Sequence, residues 1–135
     1  MESSAQNPLR INAKKLLSHA KEHKAKGSSF DLLVADIHAD NGLELFLKDF
    51  AIFYNIRGAK TMQVPELIDR LKFKIPELRD ARRCADLNLV HNFRDFSYHM
   101  GNSPDLAVLG WCIDCVDKFM QDVERTEGLK IVVKK

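Results

Sequence analysis

The chain has no apolar run approaching the roughly 20 residues that a bilayer-spanning helix needs. Its opening Met1-Glu2-Ser3-Ser4 also lacks the charged-then-apolar layout of a secretory signal. No membrane partner is expected. Only three cysteines occur, Cys84, Cys112 and Cys115. An odd number at no disulfide-framework spacing points to a reducing, cytoplasmic setting. Six glycines and four prolines are few for 135 residues and fall between periodic segments, which argues against a turn-rich β-protein. There is no glycine-rich phosphate loop, no serine-nucleophile signature, no repeat and no low-complexity tract. The net charge of +2 is too small by itself to argue for nucleic acid.

What is present reads as helix. The 45% hydrophobic and 30% charged residues describe a globular chain, and the length suits one domain, residues 1–135. A first helix is predicted from Pro8 to Lys26, stopped by Gly27, with Leu9, Ala13, Leu16, Leu17 and Ala20 as its apolar stripe. Ser28 or Ser29 caps a long second helix reaching about Asn55, in which Leu43, Phe46, Leu47, Phe50, Phe53 and Tyr54 recur at helical spacing. Asp40-Asn41-Gly42 is its weak point, where a kink or close packing is expected. Val64-Pro65 opens a short helix, and Pro76 starts a longer one whose stripe runs Leu78, Ala81, Ala85, Leu89, Phe93, Phe96 to about His99. Ser103-Pro104-Asp105 starts the last helix, with Leu109, Cys112, Val116, Phe119, Met120 and Val123 buried and Gly128 as its end. Residues 129–135 form a short basic tail. The predicted class is all-α, an up-and-down bundle of four to five helices.

The chemistry concentrates in Arg94-Asp95-Phe96-Ser97-Tyr98-His99. Arginine is a permanent, two-pronged cation suited to a phosphate, and histidine exchanges protons near neutral pH. Asp95 and His99 stand at i and i+4, so the carboxylate is expected to orient the ring. Arg94 and His99 lie about 140° apart around the helix, and convergence requires the long arginine and the fraying end near Gly101. His91, Asp95 and His99 form a stripe that could be weighed as metal ligands, but i and i+8 are about 12 Å apart and no further ligand is evident, so no metal is expected. Cys112 and Cys115 make a CxxC inside a helix rather than at its start, and read as packing thiols. His19, His23 and His38 have no partner at useful spacing. Arg79, Arg82 and Arg83 cluster before Arg94, whereas the lysines of the first helix read as a solvated face.

This layout resembles the HEPN superfamily: a long second helix containing Gly42-Leu43-Glu44-Leu45-Phe46-Leu47-Lys48, a short helix at Pro65-Glu66-Leu67-Ile68, then a helix ending in arginine, a polar residue and a histidine. The family motif is Arg, then Asn, His or Asp, with His after four to six intervening residues, and Arg94 to His99 fits with four. The resemblance covers about residues 30–127, leaving 8–27 as an additional N-terminal helix. It implies metal-independent RNA cleavage by a homodimer without a cofactor. Arg94 and His99 would be catalytic, Asp95 positioning, and Arg83, Asn92 and Tyr98 substrate contacts. It also implies a toxin or phage-defence role with an antitoxin or other protein partner or, alternatively, a non-catalytic nucleotide- or protein-binding dimerisation module. The tyrosine that follows the histidine in toxins paired with a nucleotidyltransferase is missing: Tyr98 precedes His99, and Asn102 and Ser103 follow.

Overall fold

A computed structural model describes residues 7–133, with side chains through residue 128; Met1–Gln6 and Lys134–Lys135 lie outside it. It contains five α-helices: α1 (Pro8–Lys26), α2 (Ser29–Phe53), α3 (Val64–Leu71), α4 (Ala81–Met100) and α5 (Leu106–Val133). No strand occurs among the described residues, so the class is all-α.

The helix ends follow local chemistry. The Asn7 side chain accepts the amide of Leu9 at 2.9 Å, Pro8 occupies the first turn, and Gly27 at φ 79° closes α1. One residue later the Ser28 hydroxyl accepts the Asp31 amide at 3.0 Å and opens α2, so α1 and α2 form a tight hairpin. Helix α2 is central, packing against α1, α3, α4 and α5. Its Leu43, Phe46, Leu47 and Phe50 are buried as the periodicity requires, with Phe46 edge-on to Phe119 of α5 at 5.7 Å. Each such side chain contributes about 1.5–3 kcal/mol on burial. At Gly42 the weak point becomes close packing: a Cβ there would meet the Ala13 carbonyl oxygen of α1 at 3.0 Å.

The structure departs from the expected helices in three places. Pro76–Arg79 is a separate 3-10 turn, and α4 begins anew where Asp80 accepts the amides of Arg82 and Arg83. The expected α4 stripe is also rotated. The helix buries Leu87, Val90, His91 and Ser97, while Leu89 and Phe96 face solvent. Two apolar rows compete on this helix, and the buried one carries the polar residues. Finally, Asp105 rather than Ser103 caps α5, accepting the Ala107 amide at 2.8 Å, and the helix runs through Gly128 to Val133. The tail from Leu129 is therefore helical as far as it is described. Leu109, Cys112, Val116, Phe119, Met120 and Val123 all lie in the core.

Candidate functional site

The polar residues on the buried side of α4 meet a pair of acids on α2. Asp36 and Asp40 are one turn apart on α2 and almost wholly buried. Asp40 faces α4, where His91 Nδ1 approaches its two carboxylate oxygens at 3.0 and 3.2 Å and Arg94 Nε lies 3.7 Å away. On its other edge His91 Nε2 is 3.4 Å from Asp95, which also accepts Arg94 Nη1 at 3.0 Å. The result is a closed ring of charge, Asp40–His91–Asp95–Arg94, running from the α2/α4 interface to the surface. The hydrogen bond that His91 donates to Asp40 raises the His91 pKa above its ordinary value, against the opposing effect of burial, and the charges of Asp40 and Asp95 add to the rise.

Asp36 sits behind this ring. Burial pushes its carboxyl up to about 6, with Asp40 adding to the rise and the neighbouring Ser97 hydroxyl and Arg94 guanidinium drawing it back. No hydrogen bond of full geometry reaches either of its carboxyl oxygens. Cys112 of α5 lies in the same field. Its thiol is pushed up to about 12 by burial first and by the Asp36 charge second. Cys84 and Cys115 are likewise raised by burial, so the thiols are poor nucleophiles.

The outer end of α4 carries the rest of the motif. The Arg94 guanidinium carbon stands 5.4 Å from the Tyr98 ring centre, and the Tyr98 ring lies 5.6 Å from that of His99. Tyr98 thus bridges the angular gap that separates Arg94 from His99 on the helix. His99 is exposed in the last turn, before Gly101 at φ 66°. The expected Asp95–His99 contact is replaced by Asp95 with His91 and Arg94, because the ring nitrogen at i−4 and the guanidinium at i−1 both reach its carboxylate. Asn92 is exposed on the same helix. Arg83 is remote in role: its guanidinium donates to Asp122 of α5 at 2.7 Å and lies over Phe119, tying α4 to α5. Next to the motif runs an exposed apolar band, Leu89, Phe96, Met100 and Trp111.

Two groupings escaped sequence reasoning. Arg10 of α1 is fully buried between Phe46 and Phe50 and binds Asp49 at 3.0 Å and Glu127 at 2.9 Å. A charged residue inside an apolar row of α1 was the available signal. His23 pairs with Asp31 at 2.8 Å and its ring stacks near His38, which also meets His19 edge-on. The hairpin supplies these partners, which spacing within one helix could not reveal. Burial, followed by the nearby His23 and His19, lowers the His38 pKa. Among the described residues no group of three or more His, Cys, Asp or Glu is arranged to hold a metal ion. No family model, curated protein or solved structure matches this chain.

Proposed function

We propose that this chain is a metal-independent endoribonuclease of HEPN type, working as a homodimer at the outer end of α4. The observation that supports it is the succession Arg94, Tyr98, His99 on one exposed helix end, with Arg94 steered from behind by Asp40. In RNA the 2′-hydroxyl is a built-in nucleophile. It attacks the adjacent phosphorus, the bond to the 5′-oxygen breaks, and a cyclic phosphate and a 5′-hydroxyl result. The protein need only move two protons and steady the added negative charge. His99 serves as the proton-transfer group and Arg94 as the phosphate ligand. Asp95 is the positioning residue; being more exposed than Asp40, it yields the guanidinium to an incoming phosphate while Asp40 keeps its hold. The apolar band of Leu89, Phe96, Met100 and Trp111 is the face that a second copy would cover, bringing two sets of these residues together. Tyr98 and Asn92 would flank the strand.

One observation favours a second reading, a non-catalytic association module that uses the same face. Arg94 already has two carboxylate neighbours, so much of its charge is answered before a phosphate arrives. Expression in bacteria separates the two. A nuclease arrests growth, and His99→Ala relieves the arrest without changing the oligomeric state. An association module leaves growth untouched in both forms.

A further inference from the structure

At the end of the bundle away from His99, two connections carry cations and exposed aromatic rings, with the acids Glu66 and Asp69 on the α3 helix between them. Positions 50–65 contain Arg57 and Lys60 and no Asp or Glu; positions 70–76 contain Arg70, Lys72 and Lys74 and again no acid. The two stretches meet in space, because Lys74 Nζ lies 5.7 Å from the Tyr54 ring centre. Lys72 Nζ lies 5.4 Å from the ring of Phe73, which is 74% exposed, and Phe53 is 44% exposed and edge-on to Tyr54 at 5.0 Å. Only Lys72 has an ion pair, to Asp69 at 3.0 Å; Arg57, Lys60 and Lys74 have none with any described carboxylate. The first stretch by itself forms an open groove of about 460 Å³ whose lining, all within positions 52–61, includes Ile52, Ile56, Arg57 and Lys60. Asn55 at φ 56° and Gly58 at φ 78° hold the loop in a bent form that turns it back toward α3.

An open groove edged by Arg57 and Lys60, with Lys74 and the Phe53, Tyr54 and Phe73 rings on the adjoining stretches, has the makings of a single-strand site: cations follow the phosphates, and bases stack on aromatic rings. An apolar peptide would leave three cations without partners. We infer that this end of the molecule binds single-stranded RNA, as a surface distinct from Arg94 and His99. The choice of RNA as the strand rests on the proposed nuclease reading. From Asp40, beside Arg94, to Ile52 the helix rises about 18 Å, which sets the groove apart from the α4 end.

The test is fluorescence anisotropy with a labelled 2′-O-methyl oligoribonucleotide of about a dozen nucleotides, which has no free 2′-hydroxyl to attack and stays uncut. The wild type is expected to bind with an affinity that falls steeply between about 50 and 200 mM salt. Arg57→Ala, Lys60→Ala and Lys74→Ala combined are expected to weaken binding at least about tenfold and to flatten the salt slope by about 2, near 0.7 per lost phosphate contact. Phe73→Ala is expected to lose a few-fold with the salt slope unchanged, and the charge-keeping Lys60→Arg to bind as wild type. All are exposed positions, and an unchanged circular dichroism melt verifies folding. Binding that survives the triple substitution, absence of binding by the wild type, or tighter binding of a polyglutamate peptide than of the strand would each overturn the inference. Binding of the uncut strand without cleavage of ordinary RNA sinks the nuclease reading alone. Cleavage with normal binding by the triple variant sinks this inference alone.

Discussion

Arg10 and Arg94 each reach a buried carboxylate of α2, and they do so under opposite conditions. Arg10 is sealed: no part of its side chain meets water, two phenylalanine rings enclose it, and Asp49, Glu124 and Glu127 come to it from α2 and α5. Arg94 stands at the rim of its cluster, a quarter exposed, with a histidine in the ring and a tyrosine leading outward. A permanent cation with no access to solvent fixes three helices in register, while burial pushes the carboxyl of its partner Asp49 above the ordinary value. A cluster that mixes arginine, imidazole and a buried acid poised near neutrality, and that opens at one end, can exchange protons and accept an anion. Burial of charge thus marks structure in the first region and a candidate working site in the second; the access of the arginine to solvent and the imidazole beside it separate them.

The largest effect that could break this comparison is Arg10→Ala. Removing it strands the buried Asp49 carboxylate, and urea unfolding should register a loss of about 3–5 kcal/mol. A loss under about 1 kcal/mol would mean that the sealed cluster is no lock. Next is Asp36→Asn. The folded-state carboxyl is raised from 3.8 to about 6. Its stabilising contribution is therefore complete below pH 3.8 and disappears as pH rises through about 6. Relative to wild type, Asp36→Asn should be about 1–3 kcal/mol more stable at pH 7.5 than the same comparison gives at pH 4. A pH-independent difference between the two unfolding curves would remove Asp36 from the account.

His91→Gln should cost about 1–2 kcal/mol at pH 6, the strength of a charge-assisted hydrogen bond. The His91 pKa is raised, so this contribution is present in full below 6.5 and fades as pH climbs through the higher folded-state value. The gap between the two proteins should accordingly narrow in alkaline buffer. The smallest effect sharpens the boundary of the site. Arg83→Ala breaks a partly exposed pair with Asp122, for a stability loss of about 1 kcal/mol or less, and should leave any RNA cleavage intact.

Much of the scaffold could be read from local chemistry. The Pro8 start, the Gly27 stop, the Ser28 cap and the α5 core row all depend on residues within a turn or two of each other. The rotation of α4 did not, because Leu89, Phe93 and Phe96 recur at helical spacing as well as Leu87 and Val90 do. The row that is buried is the one that meets Asp40 on another helix, with which His91 and Arg94 pair. Partners on other elements likewise hid the role of Arg10, whose carboxylates come from α2 and α5, whereas the Asp95 pairs with His91 and Arg94 lie within α4 and depend on its rotation. Arg94, Tyr98 and His99 were legible as a group because one helix end carries all three. Gly128 failed as a stop because a glycine ends a helix only where the chain turns into a left-handed conformation, and Gly128 is not among the residues that do so.

Cleavage of a single-stranded RNA in the presence of a metal chelator, compared between wild type and His99→Ala, tests the central claim most directly. The account expects wild-type cleavage that leaves cyclic phosphate ends, lost by at least about a hundredfold in His99→Ala, with the urea midpoint unmoved because the ring is exposed. Equal cleavage by both proteins, or none by the wild type, would contradict it.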